Sequence, residues 1–166
     1  MNNSPKIASL CNVSQRVPVL ATKLYIPPVR HGLVPRPRLI KQLSEGMCRK
    51  LILISAPAGF GKTTLLSDWI HQGEMHVAWL SLDRSDNNPE DLLTYIVTAL
   101  QTIEADIGRT VLTSLQSPQK PTVESILTYM INDIVPVEKD FVFVLDDYHL
   151  VDNRQIHDMT ETELLQ

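Results

Sequence analysis

The chain has 166 residues, of which 43% are apolar and 20% are charged, so it is long enough to bury the core of one domain. Its net charge of −4 is unevenly spread, because residues 1–50 carry nine basic side chains against one acid, whereas residues 51–166 carry six against eighteen. The two cysteines lie far apart, which argues against a disulfide-rich protein. The sequence shows neither a long apolar leader nor an apolar run of about 18 residues, so we expect a cytoplasmic protein rather than a secreted or membrane protein.

The first fifty residues divide into a tail and a connector. Residues 1–20 are polar and lack periodicity, so we predict a mobile tail. Residues 21–38 contain four prolines, each of which disfavours helix for itself and for the preceding residue, and this stretch is predicted to run extended over the surface. A short helix predicted over residues 38–47 completes a connector at residues 21–50.

A glycine-rich loop follows the apolar run at residues 51–55, which is predicted to be the first buried strand. Residues 56–64 read Ala-Pro-Ala-Gly-Phe-Gly-Lys-Thr-Thr. Gly59 and Gly61 let backbone N–H groups approach an anion closely, and the helix predicted over residues 63–71 adds the positive end of its dipole. The loop therefore predicts a phosphate-binding site at the end of a strand.

The same loop predicts a nucleoside triphosphate as the ligand. Lys62 supplies a charge for the β- and γ-phosphates, and the hydroxyl of Thr63 is placed to ligate Mg²⁺. Ala56 stands where the strict Walker A pattern has its first glycine, and we treat it as a variant because alanine is the smallest substitute. The residues predicted to bind the nucleotide are Ala58, Gly59, Phe60, Gly61, Lys62, Thr63 and Thr64.

Strands and helices alternate after this loop. The predicted elements are a strand at residues 77–82, a helix from Pro89 to about residue 103, a helix from residue 123 to about residue 134, and a helix from about residue 152. Asn88 and Thr122 are predicted to cap the two middle helices. Such alternation predicts an α/β fold with a parallel sheet and flanking helices.

A last apolar run, residues 141–145, ends in the acid pair Asp146-Asp147. The run predicts a strand buried on both faces, and carboxylates at the carboxyl end of a parallel strand lie where such sheets bind ligands. Together with the phosphate loop, the pair predicts a Walker B motif in which Asp146 holds Mg²⁺, directly or through water, and Asp147 orients an attacking water. Taken alone, the pair would be a solvated turn.

Several segments resemble one known family. They are residues 22–28 (Thr-Lys-Leu-Tyr-Ile-Pro-Pro), 33–39 (Leu-Val-Pro-Arg-Pro-Arg-Leu), 55–66, 78–83 (Ala-Trp-Leu-Ser-Leu-Asp), the Asp86-Asn87 pair and residues 145–149 (Leu-Asp-Asp-Tyr-His). Over roughly residues 20–158 the chain is similar to the N-terminal STAND-class P-loop ATPase domain of MalT-like, LuxR-type bacterial transcription regulators, in which Ala56 is usual.

The resemblance implies a P-loop NTPase fold that works as a switch. A closed ADP form is opened by inducer and ATP, self-associates, and is reset by slow hydrolysis. It also implies that residues 51–166 are a C-terminally incomplete core, without the strand that normally inserts between the Walker A and Walker B strands and without the sensor and DNA-binding regions. We therefore expect no sequence-specific DNA binding by this chain, and exposed edges on its two apolar strands.

Two other interpretations stay open at this point. One is a stand-alone small P-loop kinase or NTPase, and the other is a truncated remnant without activity. Kinases of this size usually carry an arginine-rich lid, whereas residues 84–140 hold only Arg84, Arg109, Lys120 and Lys139, which are widely dispersed.

Overall fold

The computed structural model describes residues 19–29, 32–119 and 121–157, so nearly all of the predicted tail and the end of the chain lie outside the described residues. The elements in chain order are a 3₁₀ turn (Ala21–Leu24), α1 (Pro37–Gly46), α2 (Lys62–Gln72), β1 (His76–Ser81), a 3₁₀ turn (Arg84–Asn87), α3 (Pro89–Leu100), α4 (Arg109–Leu115), α5 (Val123–Ile134), β2 (Phe141–Asp146) and a 3₁₀ turn (Tyr148–Leu150). Residues 154–157 begin the helix that the sequence predicts after residue 152.

The sheet of the described chain has two parallel strands, which confirms a mixed α/β fold. β1 and β2 pair from His76 opposite Phe141 to Ser81 opposite Asp146. Because both strands run in the same direction, their carboxyl ends and the loops that follow them share one edge of the sheet.

Alternating residues of the two strands pack on opposite faces of the sheet. Ala78 and Leu80 of β1 belong to a core with α3, α4 and α5, and the phenylalanines of β2 pack against it. Trp79 and Val144 belong to a second core with α1 and α2. The two-residue period of a strand therefore produces three layers, with helices on both sides of the sheet.

The predicted helix starts are confirmed by their capping contacts. The side chain of Asn88 accepts hydrogen bonds from the first N–H groups of α3, and Pro89 occupies the first helical position. The hydroxyl of Thr122 accepts from the N–H of Ser125 at the start of α5. These side chains satisfy N–H groups that have no partner within the helix, which is why local sequence locates these boundaries well.

A buried ion-pair cluster fixes the connector to the loop after β1. The Nζ of Lys23 lies 2.7 Å from both carboxylate oxygens of Asp86 and 2.9 Å from Oδ2 of Asp83. It also lies 4.9 Å from the centre of the Tyr95 ring. Lys23 and Asp86 are both buried, so each charge depends on the other for its stability in the core.

The cluster shifts two ionisation equilibria. Burial alone would lower the pKa of the Lys23 ammonium, but its hydrogen bonds to Asp86 and Asp83 outweigh burial and raise that pKa. The hydroxyl of Ser85, followed by Lys23, lowers the pKa of the Asp83 carboxyl to about 2. Both shifts favour the charged forms, as expected for paired opposite charges.

The prediction of a buried first strand at residues 51–55 is wrong. These residues form no strand in the described chain, and the side chains of Leu51 and Leu53 are 56% and 81% exposed. β2 pairs along one edge with β1, and no described strand pairs with its other edge, so the apolar run is not joined to the sheet. For the same reason most of β2 is half-buried, rather than buried on both faces as predicted.

Smaller differences lie among the helices. Ile131 lies one position after the buried Met130 on α5 and is exposed. α4 was not predicted at all, because its short threonine- and serine-containing sequence has little helical signal. Its Val111 is completely buried against the α3 core, and this tertiary packing holds the helix in place.

Candidate functional site

The glycine-rich loop has the backbone conformation that its glycines predict. Gly59 and Gly61 have φ angles of 80° and 76°, in the left-handed region that side chains rarely adopt. Gly61 is also the N-cap of α2 and no side chain caps that helix. The first N–H groups of α2 are therefore not covered by a side-chain acceptor, and helix ends of this kind attract anions.

Two cationic side chains contact this loop. The Nζ of Lys62 donates to the carbonyl oxygens of Ala56 and Pro57, at 2.9 and 3.4 Å. The Nη1 of Arg36, in the residue before α1, donates to the carbonyl of Phe60 at 2.9 Å. The sequence motif predicted Lys62 but not Arg36, because nothing in local spacing indicates that a residue 24 positions earlier lies against the loop.

The start of α2 meets the end of β2 through Thr63 and Asp146. The hydroxyl of Thr63 lies 3.0 and 2.9 Å from the two carboxylate oxygens of Asp146, although 83 residues separate them in sequence. Asp146 is buried. Burial raises the pKa of its carboxyl, the hydrogen bond from Thr63 opposes that shift, and the neighbouring charge of Asp147 adds to it.

The oxygen atoms of Thr63 and Asp146 suit a hard divalent cation. Among the residues that the structure describes, no three His, Cys, Asp or Glu side chains gather into a metal cluster. Mg²⁺ is commonly held by one or two protein oxygens together with phosphate and water, so this sparse donor set fits Mg²⁺ better than zinc or calcium.

Asp147 has a different environment from its neighbour. With a φ of 57°, it is the single non-glycine residue of the described chain in the left-handed region. Its side chain is partly exposed, and its Oδ1 lies 3.8 Å from Nδ1 of His149. The two adjacent acids therefore have different surroundings, since Asp146 is buried against Thr63 and Asp147 lies in a left-handed corner.

A groove of about 310 Å³ adjoins the loop. Its apolar lining comes from α1, α2 and the apolar run before the loop, and its polar rim includes Arg36 and Lys62. The lining residues include Leu39, Leu43, Ile52, Ile54 and Leu65. Sequence reasoning missed this groove, because it is assembled from three separate segments.

The other residues predicted to bind the nucleotide lie in the same loop and at the start of α2. Ala58, Gly59 and Phe60 are exposed at the tip of the loop, whereas Gly61, Lys62, Thr63 and Thr64 are half-buried at the start of α2. All of the predicted site residues therefore lie on one continuous stretch, residues 58–64, or on the corner at residues 146–147.

None of the helices in the described ranges is both long and apolar enough to span a bilayer.

Comparison with known proteins gives one consistent result. The chain is 33% identical over 140 residues to proteins described as "HTH-type transcriptional regulator MalT" from Klebsiella pneumoniae subsp. pneumoniae, Klebsiella pneumoniae strain 342 and Cronobacter sakazakii. The match covers 84% of this chain and 15% of each of those proteins, so the chain spans a small part of the length of the curated relatives that it matches. No family model matches the chain. Most of the chain is thus a MalT-like region, related to a transcriptional regulator.

Proposed function

We propose that this chain is the ATP/ADP-binding regulatory module of a signal-responsive transcription regulator. Its similarity to part of a regulator supplies the biological setting, and its loop, acid pair and groove supply the chemistry. In this proposal the DNA-binding and signal-sensing functions belong to regions other than the segment described above, and the module acts in the cytoplasm.

The contact between Thr63 and Asp146 carries the proposal. A hydroxyl at the start of a helix after a glycine-rich loop and a carboxylate at the end of a parallel strand are the two protein ligands expected of Mg²⁺ bound to a nucleotide. Here they lie within 3.0 Å of each other across 83 residues of sequence. A solvated Asp-Asp turn, the alternative interpretation, gives no reason for that contact.

The rest of the site matches the parts of a nucleoside triphosphate. The N–H groups of the loop and of the first turn of α2 face the phosphates, and Lys62 exchanges its contact with Ala56 for one with a phosphate oxygen. The apolar groove takes the base, because an aromatic heterocycle buries its faces against aliphatic side chains such as Leu39 and Ile54. Thr63 and Asp146 would hold Mg²⁺, which would supply positive charge to offset that of the phosphates.

The proposed module works as a switch and not as a fast enzyme. In this proposal Asp147, at the corner after β2, orients a water for slow hydrolysis. Because ATP and ADP favour different conformations of the protein, hydrolysis shifts it from one conformation to the other. Self-association in the ATP state completes the cycle. Such a switch depends on the difference in affinity between two conformations, so turnover needs only to be slow.

The proposal is tested by calorimetry on the purified 166-residue chain. ATP and ADP are titrated with Mg²⁺ and, separately, with EDTA. We expect saturable binding of both nucleotides and tighter binding of ATP when Mg²⁺ is present. Absence of nucleotide binding in both conditions, from protein with a cooperative melting transition, would refute the proposal.

A further inference from the structure

Asn87 joins the loop after β1 to the loop after β2. Its Oδ1 accepts hydrogen bonds from the N–H groups of Asp152 and Asn153, at 2.7 and 3.1 Å, and its Nδ2 lies 3.4 Å from the carbonyl oxygen of Leu150. In return, the Nδ2 of Asn153 donates to the carbonyl of Asn87 at 2.9 Å. One side chain therefore contacts three polar backbone groups within residues 150–153, more than 60 residues away.

This segment continues directly from the acid corner. Asp147 has left-handed backbone angles, and its carbonyl accepts from the N–H of Leu150 at 3.0 Å in the 3₁₀ turn that follows. A non-glycine residue keeps such a conformation only where its surroundings hold it. The contacts of Asn87 begin at Leu150, so they lie at the point where this turn is anchored to the rest of the protein.

The other side of the corner is anchored separately. The carbonyl of Asp146 accepts from the N–H of Leu82, which continues the pairing of the two strands. The corner at Asp146 and Asp147 is therefore held at both ends, by the sheet before it and by Asn87 after it. Removing the second anchor leaves the strained residue free to relax, and the adjacent carboxylates then lose their fixed directions.

We propose that Asn87 is a positioning residue for the carboxylates of Asp146 and Asp147. The inference rests on the proposed nucleotide-binding function and adds a residue to it. Asn87 acts on the site through residues 150–153, while the nucleotide contacts stay with residues 58–64. Its contribution therefore appears in the Mg²⁺-dependent part of nucleotide affinity, which requires the carboxylate, and not in the part that remains without metal.

The experiment compares three variants of the 166-residue chain. Asn87→Ala removes all side-chain contacts, whereas Asn87→Asp keeps an oxygen that accepts from the N–H groups of Asp152 and Asn153. Asn88→Ala is the matched control, because its side chain accepts from the N–H groups of Glu90 and Asp91 at the start of α3 and so contributes to stability alone. For each, ATP affinity is measured with Mg²⁺ and with EDTA, and amide exchange is followed at residues 148–153.

We expect Asn87→Ala to lose about tenfold of the Mg²⁺-dependent gain in ATP affinity, as is typical when a partner behind a metal ligand is removed. Its affinity in EDTA stays unchanged, and its amides at residues 148–153 exchange faster. Asn87→Asp recovers part of the gain, because its second carboxylate oxygen replaces an amide nitrogen that donates to the carbonyl of Arg84 at 3.0 Å. Asn88→Ala melts at a lower temperature with the gain intact.

Three results would overturn the inference. They are a full Mg²⁺-dependent gain in Asn87→Ala, an equal loss in Asn88→Ala, or no recovery in Asn87→Asp. Failure of the proposed function is distinguishable from these, because it appears as absence of nucleotide binding in the unaltered chain. A wild-type chain that binds ATP without any gain from Mg²⁺ also overturns the inference, while leaving nucleotide binding itself in place.

Discussion

The ammonium of Lys62 lies 2.9 Å from the carbonyl oxygen of Ala56, six residues earlier in the same loop, and donates a hydrogen bond to it. A second carbonyl, that of Pro57, lies 3.4 Å from the same nitrogen. The loop thus supplies two neutral acceptors for this charge. In the proposed complex a phosphate oxygen takes their place, because two opposite charges attract more strongly than a charge and a neutral carbonyl.

The first prediction follows from this exchange. Lys62→Ala is expected to weaken ATP binding by about 10- to 100-fold, since a hydrogen bond between charged groups contributes about 1.5–3 kcal/mol. Calorimetry measures the change, and Lys41→Ala on the exposed face of α1 serves as the control for loss of one positive charge. Equal affinity in the wild type and in Lys62→Ala would show that the loop is not the phosphate site.

The second prediction separates metal binding from stability at Asp146. Burial raises the pKa of this carboxyl, so the ionised form is less favourable in the folded chain than in the unfolded one. Asp146→Asn removes that cost and keeps an oxygen for the hydroxyl of Thr63, so the melting temperature at pH 7 is expected to stay the same or rise. The Mg²⁺-dependent gain in ATP affinity is expected to disappear, because the amide carries no charge for the cation. A lower melting temperature with unaltered Mg²⁺ dependence would assign Asp146 a structural role instead.

The third prediction concerns Asp147. Asp147→Asn keeps a residue type that tolerates the left-handed conformation, so the corner is expected to persist. ATP affinity is expected to stay within about twofold, while single-turnover hydrolysis slows by about 100-fold or more, the range found for loss of a positioned acid or base. Hydrolysis is measured with excess protein over labelled ATP. Turnover at the wild-type rate would remove Asp147 from the reaction.

The parts of the site that follow from local sequence were predicted well. The positive φ angles of Gly59 and Gly61 and the cap at Asn88 depend on the residue itself and on its immediate neighbours. Local sequence is therefore sufficient to predict them. The parallel pairing of β1 and β2 follows from alternating strands and helices, which only a parallel sheet accommodates easily.

The parts that depend on distant partners were not predicted. Leu51 and Leu53 are apolar enough for a buried strand, but a strand also needs backbone pairing, and no described strand pairs with these residues. Arg36 and Asn87 reach their partners across 24 and 63–66 residues, and the spacing of polar residues along a chain carries no information about such contacts.

The fourth prediction tests the buried ion pair of Lys23 and Asp86. Lys23→Met leaves Asp86 buried without its counter-ion and is expected to lower the free energy of unfolding by about 3–5 kcal/mol. Adding Asp86→Asn is expected to restore most of the loss, because the amide oxygen still accepts from the N–H of Asp83. Lys41→Met, in the exposed pair with Glu45, is the control and is expected to change stability by less than about 0.5 kcal/mol.

The cluster of Lys23 with Asp86 and Asp83 gives the free energy of unfolding a two-sided pH dependence. The pKa of Lys23 is raised in the folded chain, so its contribution is complete below the ordinary value of 10.5 and is lost as pH rises through the folded value. The pKa of Asp83 is lowered to about 2 from 3.8, so its contribution is complete above the ordinary value and is lost as pH falls toward 2. The difference in unfolding free energy between wild type and Lys23→Met is therefore expected to narrow at both extremes. A difference in unfolding free energy between wild type and Lys23→Met that stays constant from pH 2 to pH 11 would contradict this account.

The last prediction concerns the exposed apolar run before the phosphate loop. Leu51 and Leu53 are 56% and 81% exposed, and β2 has a second edge that no described strand pairs. Unpaired strand edges next to exposed apolar side chains promote association between chains. The purified chain is therefore expected to associate as its concentration rises, with sedimentation velocity showing mass that grows over the micromolar range.

Charge placed on this run should suppress the association without affecting the fold. The double variant Leu51→Lys/Leu53→Lys is expected to stay monomeric to about tenfold higher concentration, because charge within an exposed apolar run opposes its association with another chain. Its melting temperature is expected to change little, since substitutions at exposed sites usually alter stability by less than about 0.5 kcal/mol each. Val34→Lys is the matched control, because Val34 is also 81% exposed but lies outside the run. A wild-type chain that stays monomeric throughout, or a Val34→Lys variant that suppresses association equally well, would show that residues 51–53 are not the surface through which the chains associate.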